Sequence, residues 1–425
     1  MSDSPPDANA LAIDRARVRR AIILLVTCTA IGLLAALLWG GWHVWKSHVV
    51  SSYQSQCAAA RNVQDWQILE AQARAWAWWQ PDRALPWVYA AMGAQQQGNV
   101  TQAAEYLERI PDGDPQASES LLALVDFQFN ELDKPFEAEA TCRRILRIDP
   151  AVGEAHRRLI FFYGMTLQRQ KMVRQARQAI ELSCDTPATY VHVIGADWLT
   201  FSNAYELNGR WLQNDPDNEL LLVARALHYV GTKALDESTS PLQDESGVAK
   251  IALHEKALGE YLGRFPHNLE LLSYFLKKAC QSGNDRRVTE LLAEAPPEAV
   301  GDNRFWRFKG WLHAARREYP SAEAAYGRAL QLNPYDWQSQ HELADLMRRL
   351  KKYDQVEVFQ NQAFAGRELR KAIMQLPNVK DVSTPVLQGM AAYARMCGDT
   401  IVADSLSWRI ATMRGGVPGS ASRRP

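Results

Sequence analysis

Residues Asn303–Asp336 read NRFWRFKGWLHAARREYPSAEAAYGRALQLNPYD. Trp306 is followed by the small Gly310, the turn at Tyr319-Pro320, the small Ala322, the aromatic Tyr326, the small Ala329 and finally Pro334. Apolar residues return at helical spacing on both sides of a single break, which predicts two helices joined by a tight turn. Gly310 and Ala322 let the two helices approach closely, and the large residues fill the space between them and the next element. Pro334 ends the second helix because it has no backbone N–H to continue it.

The same frame returns along the chain. Ala84–Ala117 carries Trp87, Ala91, Gly98-Asn99, Ala103, Leu107, Ile110 and Pro115. Glu119–Val152 carries Leu122, Val125, Phe129, Ala138, Ile145 and Pro150. Weaker copies begin near Gly153, end at Pro216, and recur around Leu272, Leu343 and Leu387; a degenerate first copy lies between Tyr53 and Pro81. The pattern resembles the tetratricopeptide (TPR) repeat, a helix–turn–helix unit of about 34 residues. Asn303–Asp336 meets that family's pattern at Trp306, Gly310, Ala322, Tyr326, Ala329 and Pro334. The resemblance implies an all-α, right-handed TPR α-solenoid of about nine repeats over residues 50–414, each unit touching mainly its neighbours. A polar, acidic insertion at 232–247 reads as an exposed loop, Leu369–Pro385 reads as a spacer, and the tail 415–425 reads as disordered.

Composition agrees with this reading. The chain has 425 residues, 48 Lys+Arg against 48 Asp+Glu, 47% hydrophobic residues and 23% charged ones. It is too apolar to be disordered. Zero net charge argues against a nucleic-acid partner, since phosphate binding calls for a basic excess. The 14 Trp are expected mainly at helix-packing positions, among them Trp66, Trp76, Trp79, Trp87, Trp211, Trp306 and Trp337.

The N-terminus differs from the rest. Residues 1–20 read as a disordered segment that turns basic at Arg15, Arg17, Arg19 and Arg20. Ala21–Trp45 then contains no Asp, Glu, Lys or Arg, and about 20 apolar residues suffice to cross the roughly 30 Å hydrocarbon core. Trp39, Trp42 and Trp45 stand at its end, where an interfacial aromatic belt belongs. Residues 21–45 therefore predict a single-pass transmembrane helix. The arginines before it keep the N-terminus cytoplasmic and export the repeats. A cleaved signal peptide, a lipoprotein box at Leu25–Cys28 and a buried core helix fit less well. The apolar run outlasts the first two, and the third leaves the arginines and tryptophans unexplained.

Little in the sequence points to catalysis. Neither GxxxxGK[ST], GxGxxG nor GxSxG occurs. His341-Glu342-Leu343-Ala344-Asp345 opens like a zinc-protease helix but has Asp where that motif requires His. The six cysteines, Cys28, Cys57, Cys142, Cys184, Cys280 and Cys397, include no CxxC pair and read chiefly as buried free thiols. They lean slightly toward a reducing side. No catalytic residue, cofactor, metal or small-molecule substrate is expected. The sequon at Asn99 is taken as chance.

The functional surface implied by the resemblance is the concave groove lined by the first helix of each repeat. Its candidate residues are Met92, Phe127, Arg157, Phe161, Arg307, Trp311, His341 and Arg348. They make the early groove apolar and the late groove cationic. The Lys/Asn/Arg clamp with which chaperone-tail-binding members of the family hold a terminal carboxylate is not reproduced. The expected role is a membrane-anchored scaffold that binds partner proteins or peptide segments. The layout resembles bacterial inner-membrane proteins with one N-terminal helix and an exported TPR domain, which assist translocon, envelope-assembly or cytochrome-maturation machinery. Alternatives are a cytoplasm-facing scaffold and a recruiting arm for an activity hidden in Asp185–Gly301.

Overall fold

A computed structural model of the protein describes residues 8–239 and 245–413. The first seven residues, residues 240–244 of the insertion and residues 414–425, which include the tail 415–425, lie outside the described residues. Every regular element described is helical, and the chain divides into two compact units, Met1–Ser120 and Leu121–Pro425.

The first unit contains α1 (Ala8–Asn62), α2 (Trp66–Trp79), α3 (Ala84–Gln96) and α4 (Val100–Glu108). Helix α1 is unbroken for 55 residues. It therefore takes in residues 8–20, expected to be irregular. Ala, Leu, Ile and Arg dominate that stretch, and extending an existing helix costs far less than nucleating one. Within Leu25–Asn62, α1 is long and apolar enough to cross a membrane, with a mean hydropathy of 1.7. Its last turns then serve as the first helix of a hairpin with α2, burying Val50, Cys57 and Ala60. Small residues set the spacing here. A Cβ on Gly93 would come within 2.8 Å of the Glu70 Cβ and 2.9 Å of backbone atoms of α2.

Helix α5 (Ala117–Asp126) leads into the second unit and ends in a π-helical turn, Phe127–Glu131. There follow α6 (Pro135–Ile148), α7 (Gly153–Met165), α8 (Arg169–Glu181), α9 (Pro187–Ile194) and α10 (Ala204–Trp211). Next come α11 (Glu219–Thr239), α12 (Glu245–Arg264), α13 (Leu269–Gln281), α14 (Asp285–Ala293) and a short 3-10 turn at Pro297–Gly301. The chain closes with α15 (Asn303–Ala315), α16 (Tyr319–Leu332), α17 (Trp337–Arg349), α18 (Tyr353–Met374), α19 (Thr384–Met396) and α20 (Thr400–Met413). Helices α11 and α12 occupy much of the stretch 232–247 expected as a loop. Thr232–Thr239 has no Gly or Pro to stop α11.

The 34-residue period is physical. Helices α15 and α17 start 34 residues apart, and so do α16 and α18. At Gly310 a Cβ would fall 2.7 Å from the Tyr326 ring, so the small residue on one helix makes room for the aromatic on the other. The turn inside the hairpin is equally regular. Six first helices are followed, at the same distance from their start, by a residue with positive φ: Gly98, Leu167, Gly283, Arg317, Lys351 and Gly398. Only three of the six are glycine, the residue that adopts this backbone without a Cβ clash.

Helices touch mainly their neighbours, but the second unit adds contacts between distant repeats. Helix α19 packs against α9. Arg177 on α8 pairs with Asp399 at 2.8 Å, and Arg409 on α20 pairs with Asp185 at 2.6 Å. Tyr335 donates to the same Asp399 at 2.9 Å. The break in the stack occurs at α9 and α10. Each has eight residues, and an irregular segment, 195–203, separates them. His228 pins that segment by accepting from the Phe201 N–H at 3.1 Å while its other ring nitrogen bonds the Met165 carbonyl at 3.0 Å.

Candidate functional site

Three of the first helices carry charges inward. Asn268 caps α13, and the first turn that follows sets Glu270 facing the interior. Asp302 caps α15 and places Arg304 and Arg307 on its buried side. Asp336 caps α17 by accepting from the Ser339 N–H at 3.2 Å.

These groups form a buried ionic network. Arg304 donates to Glu270 at 2.6 and 2.9 Å and to Asp302 at 2.6 Å. Arg169, from α8, donates to Glu270 Oε2 at 3.1 Å, the oxygen that also accepts from Arg304 at 2.9 Å. Arg307 donates to Asp336 at 2.6 Å, while Asn303 bridges Asp336 at 3.1 Å and Asp197 at 2.6 Å. Burial alone would raise the Glu270 carboxyl; Arg304 and Arg169 outweigh it and hold it down at about 2. Asp197 goes the other way. Burial and the nearby Asp336 carboxylate push it up, against the pull of Arg307 and Arg304.

The network walls a cavity of about 590 Å3 within the second unit. Its lining comes from α8, the segment after α9, α11, α12, α13, α15, the start of α17 and α18. Six cations line it (Arg169, Lys277, Lys278, Arg304, Arg307, Arg370) against four carboxylates (Asp197, Glu255, Glu270, Asp336). Lys278 is matched by Glu255 at 2.7 Å. Asp302, behind Arg304, adds a fifth carboxylate; Lys277 and Arg370 have no ion pair among the described residues. Lys277 is open to water yet surrounded by protein, as a group on a cavity wall is. That enclosure, then Arg307, Arg370 and Arg169, pulls its ammonium below the usual lysine range. Burial likewise lowers Arg370, whose guanidinium lies 5.7 Å from the centre of the Trp198 ring. Trp337, Tyr274 and Phe308 add aromatic wall. The arrangement offers two unpaired cations beside stacking surfaces, which suits an anionic group with an apolar or aromatic neighbour.

Of the residues expected in the groove, Arg307 lines this cavity, but as a buried arginine tied to Asp336. Trp311 is half-buried against the cluster of Leu272, Leu276 and Phe305. His341 is exposed, 3.9 Å from Asp345, and Arg348 pairs with the same carboxylate at 2.6 Å. Arg157 is exposed and bonded to Glu154 at 2.7 Å. Phe127 is buried as the first residue of the π-helical turn, and Phe161 lies half-buried with its ring 6.5 Å from that of Phe129. Met92 is half-buried in the first unit. Lys277 was missed although a signal existed. Arg304, Arg307 and Trp311 are the second, fifth and ninth residues of α15, and the same places in α13 are Glu270, Ser273 and Lys277. Arg370 sits on a second helix and Trp198 in an irregular segment, where the repeat rule says nothing.

Among the described residues no group of three or more His, Cys, Asp or Glu is placed to hold a metal ion. Cys57 and Cys142 are buried, and Cys184, Cys280 and Cys397 are half-buried; none of the five is paired. Burial pushes the Cys57 thiol up to about 11 and the Cys142 thiol up to about 12.

The fold is tetratricopeptide-like. Its paired helices, 34-residue spacing and small-to-aromatic contact at Gly310–Tyr326 carry that statement. No family model and no curated protein matches the sequence. Among solved structures the chain is similar to the human IFIT1 dimer with m7Gppp-AAAA, at 14% identity over 86% of this chain and 77% of that one, with a TM-score of 0.29. It is similar to a chain of the APC/C hetero-tetramer Cut9-Hcn1, at 14% identity over 77% and 60%, with a TM-score of 0.32. A tetratricopeptide repeat protein from Parabacteroides merdae matches at 12% identity over 71% and 99%, with a TM-score of 0.26. At these TM-scores the likenesses carry no argument about ligand or partner.

Proposed function

We propose that this protein is a membrane-anchored interaction scaffold whose second unit receives an acidic segment of a partner protein in the cavity beside Lys277 and Arg370. The observation that carries the reading is the pair of unmatched cations on the wall of a 590 Å3 cavity with Trp198 and Trp337. A cavity of that size takes a few side chains, and a carboxylate is the protein group that complements an ammonium and a guanidinium together. The tetratricopeptide-like fold supports protein binding in general, and envelope assembly or protein biogenesis is the setting we propose. The anchor is residues 21–45, with the N-terminus cytoplasmic and the repeats exported. Holding the cavity at a membrane raises its effective concentration near membrane partners.

The test uses the full chain in nanodiscs and a fluorescent peptide alternating Asp or Glu with Phe or Trp. Its control is the peptide with Asn and Gln in place of the acids. We expect the acidic peptide to bind more tightly, and Lys277→Gln or Arg370→Gln to weaken it about tenfold, since a charge-assisted hydrogen bond contributes roughly 1.5–3 kcal/mol. Equal binding of both peptides, or variants that bind like the parent, would sink the reading. A single-stranded oligoribonucleotide that binds more tightly than the peptide would reassign the cavity to nucleic acid.

A cytoplasm-facing scaffold is the second reading, favoured by the five unpaired thiols. Alkaline phosphatase fused after Arg424 distinguishes them: activity supports export, and inactivity beside an active cytoplasmic reporter overturns it.

A further inference from the structure

Helix α1 does not stop where its charge-free stretch ends. It continues into the first hairpin, so the geometry of that hairpin relative to the span is fixed within one unit. Helix α2 runs back along α1 and ends next to the last turns of the charge-free stretch. The tryptophans record this. Trp42 and Trp45 lie 5.2 Å apart, ring centre to ring centre, and Trp79 on α2 lies 6.2 Å from Trp42 and 5.2 Å from Trp45. Trp78 follows at 4.7 Å from Trp79. Trp78 is 74% exposed, more than Trp39 at 67% within the span. An indole left so open to water beside a membrane-spanning helix has a natural solvent in the lipid–water interface, where a flat apolar ring with one N–H donor is favoured.

The neighbours of Trp78 set a depth. Arg74 lies on the same face of α2, one helical turn (about 6 Å) further from the span, and is exposed. The turn after α2 carries Asp82 and Arg83, both exposed, and Arg109 lies 5.5 Å from the centre of the Trp87 ring beside it. Charges there exclude the hydrocarbon core and suit the headgroup layer, where guanidinium groups meet phosphates.

We propose that the end of α2 and the turn that follows it, from Trp78 to Arg83, are a second membrane contact, seated in the phospholipid headgroup layer beside Trp42 and Trp45. The span and this contact hold the first hairpin at two points, so it does not swivel about a flexible tether. The proposal rests on the reading of α1 as a membrane span, and the experiment separates the two.

The full chain is reconstituted in nanodiscs of phosphatidylcholine and phosphatidylglycerol. A nitroxide is attached through a genetically encoded ketone residue at position 34, 82 or 105, which leaves the native cysteines and Trp78 in place. Collision with oxygen, which concentrates in lipid, is compared with collision with a water-soluble nickel chelate. The label at 34 is expected deep in hydrocarbon, the label at 105 in water, and the label at 82 at headgroup depth, with nickel collision several-fold below that at 105. Trp78→Glu should return the label at 82 to the value at 105; Trp78 is exposed, so the hairpin stays folded, as unchanged helix content will verify. A label at 82 already as wet as that at 105, with 34 in lipid, overturns the second contact and leaves the span standing. A label at 82 that stays dry in Trp78→Glu overturns the role of the tryptophan. A label at 34 in water overturns the span itself.

Discussion

The two units solve the same packing problem with different interiors. In the first, helices are spaced by small residues: Ala73, Ala77, Ala90, Ala91, Gly93, Ala94, Ala103 and Ala104 are buried, with Trp76 as the large filler. Among the described residues its one buried charge is the carboxylate of Asp114, which accepts from the Ala84 N–H at 3.1 Å and pairs with Arg83 at 3.0 Å. The second unit encloses Arg304, Arg307, Asp302, Asp336 and Glu270 around a cavity. An apolar interior is enough to stack hairpins. Buried charges are costly to desolvate, and their pairing only returns that cost when each partner is in place. The charged interior of the second unit is thus the costlier of the two to assemble, and it coincides with the cavity proposed above to receive a partner.

The contrast predicts where the molecule is fragile. Asp336→Ala should be the most damaging change considered, because it strips Arg307 of its closest partner and removes the cap of α17 together. The loss should be about 3–5 kcal/mol, read from denaturant unfolding; a cost under about 1 kcal/mol would mean the network contributes little. Gly93→Ala probes the apolar unit. The added methyl meets the backbone of α2, and overpacking of this kind costs roughly 1–3 kcal/mol, visible as faster amide exchange in α2 and α3.

Protonation offers a reversible way to perturb the charged interior. The Asp197 carboxyl is held at about 6 in the folded protein, above its unfolded value of roughly 4. Its contribution to stability is thus full below about pH 4 and is lost as pH rises through about 6. Glu270, held down at about 2, contributes in the opposite sense: its share is present above the unfolded value of roughly 4 and lost as pH falls toward 2. Comparing the parent with Asp197→Asn isolates the first effect. The parent should lose about 1–3 kcal/mol relative to the variant between roughly pH 4 and 6. A pH-independent difference would show that Asp197 titrates normally. The smallest effect is expected at Lys351, which is exposed and has φ of 59°. Lys351→Gly should relieve the left-handed backbone and raise stability by about 0.5–1 kcal/mol, a rise in Tm of a degree or more.

The hairpins were legible because their geometry is written locally. Gly310 against Tyr326 and Pro334 after α16 are short-range constraints, and a period exposes them. The π-helical turn at Phe127–Glu131 was not legible, since FQFNE reads as ordinary helix. Neither were the turns at Leu167, Arg317 and Lys351, where non-glycine residues take a glycine conformation and the next N–H closes the helix end, as Glu318 does on the His313 carbonyl at 2.8 Å. The cavity was half legible. Arg307, Glu270 and Lys277 sit at groove positions of their repeats. Arg370 and Trp198 reach it only because the stack breaks at α9 and the unit turns back on itself, an event no repeat announces. Arg307 was read as a free groove cation because sequence spacing shows where a side chain starts and not which carboxylate it meets.

That turning back has a consequence for how the chain is made. An open array of hairpins can fold from the first repeat onward and can lose a terminal repeat with modest harm. Here Arg177 and Asp185 wait for Asp399 and Arg409, 222 and 224 residues later. The middle of the protein stays unfinished until its last helix has left the ribosome, and a chain cut short at α18 would release a product with its seam open.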